Sequence, residues 1–305
     1  VKHLLKKYEL IISAQLLNRC KKSGTMLNNI KDKIASLVSE LVYRLALLKH
    51  APNLPALEGG DRKILNALKR DGVYVTTLAD LGLSSTSELL KTAYIQLSQM
   101  EEVNSDHIDE KWPQIYTVTD LPEISTWGRE KRLLDIIENY IGLPITFHGV
   151  HLRKDFKSDN QFGTLLWHSD AEDHRIIKIF IYLNDVEEKT GPFEYIPRSL
   201  TSLFSLNYWR IYYKLLKSSY LGINDEEVKE VIPKSAWKSC IGPAGTVIIV
   251  DTKNTFHHGT VRTEDRSALF FCYTANPPER PELCTQYWDD TYPKIELRQQ
   301  LENSR

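Results

Sequence analysis

Two places in this 305-residue chain set a histidine two residues ahead of a carboxylate. The pattern is weak alone, because nine histidines and 40 carboxylates in 305 residues produce about one such match by chance. His107-Ile108-Asp109 sits in a polar run, 104–110, and reads as a solvated loop. Trp167-His168-Ser169-Asp170 differs in closing a β-rich run. Residues two apart on a strand project from one face, so an imidazole nitrogen of His168 and a carboxylate oxygen of Asp170 can share a target. A third ligand must come from another strand, and Thr255-Phe256-His257-His258-Gly259-Thr260 follows the apolar run 247–250. Neighbours on a strand face opposite sides, so only one of His257 and His258 can join the other two. Two imidazoles and one carboxylate leave three adjacent octahedral positions open, the donor set of oxygen-activating non-haem Fe(II). Any one of these histidines alone is more often structural; the joint arrangement carries the metal reading.

Arg266 lies nine residues after His257 and opens the run 267–273. A guanidinium there can clamp a carboxylate bidentately, the bland alternative being a surface ion pair with Glu264 or Asp265. His148 and His151, three apart on one expected strand, should face opposite sides and make poor joint ligands. Arg153 and Lys154 at the end of that strand are expected at the surface, and His174 exposed or behind the site. Tyr208, Trp209, Tyr212, Tyr213 and Tyr220, interleaved with Arg210, Lys214 and Lys217, read first as the packed face of a helix and second as a lid whose cations meet an anionic substrate.

These residues need a scaffold, and the patterning supplies one. Apolar residues at helical spacing over 2–49, broken at 22–25, and a Pro- and Gly-punctuated linker make residues 1–60 a helical hairpin and linker. The body, 61–305, should open with a helix from an N-cap at Asp61 to Gly72, then a strand at 73–75 and helices near 87–100 and 127–141, with 101–111 a loop. Short β-rich runs follow at 145–153, 165–168, 176–183, 193–196, 245–251, 255–259 and 267–274, with a helical insertion at about 200–240. Strands without alternating helices predict a mainly β fold with flanking helices, an antiparallel sandwich or jelly roll rather than a Rossmann sheet.

Hydrophobic residues at 42% and charged residues at 26% are an ordinary globular balance and exclude disorder throughout. A formal charge of −1 provides no global field for nucleic acid or an anionic membrane, and no apolar run is of membrane-spanning length. The start of the chain lacks the pattern of a secretory signal, and Cys20, Cys240, Cys272 and Cys284 form no C-x-x-C pair. A cytoplasmic protein with reduced thiols is expected, binding a small-molecule substrate and neither nucleic acid nor membrane. The N-terminal helices are a candidate homodimer contact.

The runs 167–173, 179–186, 191–199 and His257-His258-Gly259-Thr260 through Arg266 occur in an order that resembles the phytanoyl-CoA dioxygenase family of Fe(II)/2-oxoglutarate oxygenases, over roughly residues 62–276. The resemblance implies a double-stranded β-helix, cupin-like, with an N-terminal helical extension. It implies iron held by His168, Asp170 and His257, with Arg266 on the cosubstrate's distal carboxylate and Thr260 or Ser267 adding a hydroxyl. It favours His257 over His258. The implied reaction consumes 2-oxoglutarate and O2, releases succinate and CO2, and hydroxylates a small or carrier-linked organic substrate. Related halogenases carry a small residue where Asp170 stands, so hydroxylation is the expectation. Two rivals remain: a cupin-like iron oxygenase without 2-oxoglutarate, and a catalytically silent jelly roll that binds a ligand.

Overall fold

The computed structural model describes residues 39–102, 112–202, 204–218 and 222–294. Residues 1–38 of the expected N-terminal hairpin, the His107–Asp109 pair, Cys20, Tyr220 and nearly all of the loop over 101–111 lie outside them. Residues 39–50 are helical (α1) and lead through a short 3-10 turn into α2, Gly59–Asp71. The start of α2 differs from expectation. Its N-cap is Glu58, and Asp61 lies inside the first turn, buried against Arg132, whose Nε and Nη2 both bond it. Gly72 ends α2 in the left-handed region at φ 80°.

The body then runs β1 (Val73–Thr77), α3 (Leu78–Leu81), α4 (Thr86–Glu102), β2 (Gln114–Thr117), α5 (Pro122–Gly128), α6 (Lys131–Ile141) and β3 (Ile145–Asp155). It continues with β4 (Ile177–Tyr182), β5 (Phe193–Tyr195), α7 (Leu206–Lys217), α8 (Asp225–Lys229), β6 (Lys238–Cys240), β7 (Thr246–Asp251), β8 (His257–Gly259) and β9 (Arg266–Ala275). Two antiparallel sheets form, ordered β1-β7-β4-β9-β3-β2 and β6-β5-β8. This is a mainly β jelly roll with flanking helices. The helix expected over 127–141 is two helices, and the short strands β2 and β6 were not expected from the sequence.

Alternation in the large sheet assigns each face its task. Ile177, Ile179 and Ile181 of β4, Val247 and Ile249 of β7, and Leu269, Phe271 and Tyr273 of β9 pack under the helices with Leu133, Ile136 and Tyr140 of α6. The intervening residues, among them Phe180, Tyr182, Ile248, Val250 and Ala268, turn to the small sheet with Phe193 of β5. Both faces are buried, which is why β7 reads as a continuous apolar run.

A bulge in β3 interrupts the alternation. The register against β9 shifts between Phe147 and Gly149, and Gly149 sits at φ 145°. His148 and His151 therefore both meet Tyr287, correcting the expectation of opposite faces: their ring centroids lie 6.5 and 4.3 Å from its own. A Cβ at Gly149 would fall 2.2 Å from Thr119 Oγ1 and 3.0 Å from the Tyr287 carbonyl oxygen. Gly149→Ala should consequently destabilise the fold by about 1–3 kcal/mol, read as a lowered urea midpoint.

Candidate metal centre and its two cavities

The segment expected as a strand over 165–168 is shorter: 163–165 is a 3-10 turn, and only Trp167 and His168 pair with neighbouring chain. His168 exchanges both backbone hydrogen bonds with His257 of β8, at 2.9 and 3.1 Å. Residues directly opposed on antiparallel strands carry their side chains on one face, and the two rings lie 4.4 Å apart. Asp170 comes back to the same place because its amide donates to the Thr252 carbonyl just past β7. Ligand atoms of His168, Asp170 and His257 all lie within 4.8 Å of one another, the one such cluster among the described residues.

The ring orientations suit a metal. His168 Nδ1 bonds the Leu166 carbonyl at 2.7 Å and His257 Nδ1 the Thr255 carbonyl at 2.8 Å. Each carbonyl fixes the tautomer with the proton on Nδ1 and leaves Nε2 as a lone-pair donor. Burial holds both imidazoles neutral: the His168 pKa is lowered, and that of His257 falls to about 3, helped by the neighbouring ring. For Asp170 burial works upward, but Lys178 and the two histidines override it and keep the carboxyl well below the usual range. The donor set is thus two neutral imidazoles and a carboxylate, which fits Fe(II) or a similar divalent ion.

His258 takes the opposite face. It is stacked on Trp167 at 3.9 Å, with Nδ1 3.0 Å from the Leu165 carbonyl and Nε2 3.0 Å from Glu194 Oε2. Both nitrogens are engaged, leaving none for a metal.

Lys178 was missed in the sequence. Its ammonium bonds Asp170 Oδ2 at 2.7 Å and Glu172 Oε1 at 3.2 Å, so Asp170 offers Oδ1 alone, 3.8 Å from His168 Nε2. Burial would lower the Lys178 pKa, but the two carboxylates raise it well above the usual value. The signal was a lone cation inside Ile176-Ile177-Lys178-Ile179-Phe180, where a fully buried strand has no place for an unpaired charge.

A cavity of about 280 Å³ opens on one side of the triad, walled by Phe180, Phe193 and Phe270. Arg266 lines it, buried rather than exposed, with Nε and Nη2 on Asp155 Oδ2 at 3.1 and 2.8 Å. Neither Glu264 nor Asp265 pairs with it. Arg262 Nη1 approaches the same oxygen at 3.2 Å, and Arg153 Nε donates to Asp155 Oδ1 at 2.6 Å, so Arg153 belongs to the site instead of the surface. Burial raises the Asp155 pKa, yet the three guanidiniums hold the carboxylate well below its ordinary range. Burial also lowers the Arg262 pKa to about 10, against the pull of Asp155. Three guanidiniums around one carboxylate leave a cationic surplus in a desolvated pocket. Gly259, two residues beyond His257 on the same face, keeps the path between triad and guanidiniums open. A Cβ there would lie 3.4 Å from Arg262 Nη2 and 3.6 Å from Arg266 Nη2.

Thr260 and Ser267 do not line this cavity. Ser267 adjoins Arg266 on β9 and so projects to the other face, and the Thr260 hydroxyl points to the Pro192 carbonyl. Lys154 approaches Asp265 at 3.9 Å, and His174 stacks on Tyr43 of α1 at 4.0 Å. Cys240, Cys272 and Cys284 are buried free thiols.

A second cavity, about 790 Å³, also borders His168 and Asp170. Tyr208, Ile211, Tyr212 and Leu215 of α7 line it; of this helix Ile211 is buried, whereas Trp209, Tyr212 and Tyr213 are exposed, so the aromatic stripe is not the packed face that was expected.

The buried histidines make the fold acid-labile. His148 and His151 have pKa values lowered to about 4, mainly by desolvation, against about 6.5 in the unfolded chain. Between those values the unfolded state binds more protons, so stability rises with pH and is lost as pH falls from about 6.5 toward 4. Each such histidine contributes a slope of up to about 1.4 kcal/mol per pH unit. The urea midpoint should fall steadily from pH 7 to pH 5, and His151→Gln should flatten that fall.

Among the described residues no helix is long and apolar enough to cross a membrane. No family model matches the chain, and no curated protein matches its sequence. Solved structures do match. HygX from Streptomyces hygroscopicus, with nickel and 2-oxoglutarate bound, is 16% identical over 72% of this chain and 88% of its own, with a TM-score of 0.50. EctD from S. alaskensis with bound Fe is 18% identical over 77% and 86% of the two chains, also at 0.50. At these identities the likeness establishes the fold, and the fold this chain shares with HygX and EctD is the antiparallel jelly roll described above.

Proposed function

We propose that the protein is an Fe(II)/2-oxoglutarate-dependent oxygenase that hydroxylates an organic small molecule. The observation that carries the reading is the pairing of two sites along one face of β8: the His168–Asp170–His257 triad, and beyond Gly259 the guanidiniums of Arg262 and Arg266. A small dicarboxylic keto acid has matching ends, one to chelate a metal and one to meet a cation. The solved neighbours that hold Fe, or nickel with 2-oxoglutarate, support the same reading. Fe(II) bound at the triad, with 2-oxoglutarate and O2, would supply the oxidative chemistry: decarboxylation to succinate and CO2 coupled to hydroxylation of a C–H bond.

The chain's own residues prepare that chemistry. Leu166 and Thr255 carbonyls aim the two imidazoles, Lys178 turns one Asp170 oxygen away from the metal position, and Arg266 anchors the distal carboxylate within apolar walls that exclude water. The phytanoyl-CoA dioxygenase label remains a resemblance of motifs, and a cytoplasmic location and small-molecule partner are part of the same proposal. Succinate release from 2-oxoglutarate that requires Fe(II) and O2 tests it. Turnover without 2-oxoglutarate would instead support a cupin-like oxygenase, and absence of both metal binding and turnover a silent binding fold.

A further inference from the structure

The second cavity has a composition of its own. Arg198, Lys253 and Arg280 line it, and none of the three has an ion-pair partner among the described residues. Arg198 is half-buried and makes a single side-chain bond, a 3.3 Å contact from Nη1 to the Tyr140 hydroxyl, leaving Nε and Nη2 unpaired. Lys178 bonds two of the lining carboxylates, Asp170 and Glu172, and offsets one of their two charges; Glu172 also accepts from the Ala171 amide. With Glu282 the lining holds three acids against three cations. Lys178, shared by Asp170 and Glu172, leaves the cavity and its neighbour one positive charge in excess, while Arg198, Lys253 and Arg280 stay without a paired acid. The same cavity is lined by Tyr208, Ile211, Tyr212 and Leu215 of α7, with the Tyr208 and Tyr212 rings parallel to within 8° at 6.1 Å.

We infer that this cavity binds an amphipathic organic anion, its carboxylate or phosphate against Arg198 and Lys253 and its apolar body along α7. This deepens the oxygenase reading by naming the class of its substrate. Because His168 and Asp170 border the cavity, a molecule lying along α7 brings a C–H bond toward the triad while the cosubstrate cavity, with its separate set of guanidiniums, stays free. An unpaired guanidinium in a partly desolvated cleft is a strong carboxylate and phosphate receptor. Neutral compounds would leave it unpaired, so the charge sets selectivity as well as affinity.

The test uses matched probes on the full chain without metal, 2-oxoglutarate or O2, so its outcome is independent of whether turnover occurs. Binding of 4-phenylbutyrate, 4-phenylbutyl phosphate and the neutral 4-phenyl-1-butanol is measured by titration calorimetry. The anions are expected to bind at least tenfold more tightly than the alcohol. Arg198→Met and Lys253→Met, both at partly exposed positions, should each reduce that preference several-fold, with the double variant abolishing it. Which anion binds better distinguishes a carboxylate from a phosphate substrate. Equal binding of anions and alcohol, no binding of any probe, or a preference that survives the double variant would overturn the inference. Succinate release by a protein that fails this test would leave the oxygenase reading standing and the substrate class wrong.

Discussion

Replacing His257 by alanine is expected to abolish divalent-metal binding, whereas His258→Ala keeps the metal and loses stability. The two residues are adjacent, and the effects separate because strand alternation gives them different tasks. His257 presents a free Nε2 to the cluster with His168 and Asp170. Removing it leaves two protein donors where three are needed, and affinity for Fe(II), or for Co(II) as a spectroscopic substitute, should fall below detection. His258 is wedged against Trp167 with both nitrogens bonded. Its loss strands the buried Glu194 carboxylate and opens a void beside an indole, a cost of at least roughly 1–3 kcal/mol. Calorimetric metal titration and urea unfolding on both variants separate the readings. Retained metal binding in His257→Ala would reassign the third ligand.

Arg266→Ala is expected to weaken 2-oxoglutarate by one to three orders of magnitude while leaving metal affinity nearly unchanged. Truncating one partner of a buried charge-assisted pair costs roughly 2–5 kcal/mol, and tenfold corresponds to about 1.4 kcal/mol. Part of the loss is cushioned, because Arg262 reaches the same pocket and Arg153 and Arg262 still hold Asp155. Arg266→Lys should recover only a fraction, since an ammonium keeps the charge without the fork. Unchanged cosubstrate dependence in Arg266→Ala would pass the anchor to Arg262.

The parts of the site legible in sequence were those governed by short-range periodicity. The tandem His257-His258 had to split between faces. The apolar run of β7 and the β-rich runs of the second half marked the jelly roll for the same reason. Asp170, beyond the last paired residue His168, is instead brought to the same place by its amide bond to the Thr252 carbonyl. What stayed hidden depends on contacts between elements far apart in the chain. Asp155 is 111 residues from Arg266, and nothing local marks it as the carboxylate that gathers three guanidiniums. Arg153 looked like a strand-end surface residue until β3, pairing with β9, turned it inward. The bulge at Gly149 reversed the expected facing of His148 and His151, because one extra residue resets the alternation for the rest of the strand. Asp61 resembled a helix cap by type and position, and a buried partnership with Arg132, 71 residues away, claimed it instead.

The proposed function requires that one keto acid bridge the triad and the guanidiniums. Protein loaded with Fe(II) under strict exclusion of O2 should develop a weak visible charge-transfer band on addition of 2-oxoglutarate. The band should be absent in His257→Ala and displaced to much higher 2-oxoglutarate concentration in Arg266→Ala. An iron-loaded protein that shows no such band at saturating 2-oxoglutarate would contradict the account.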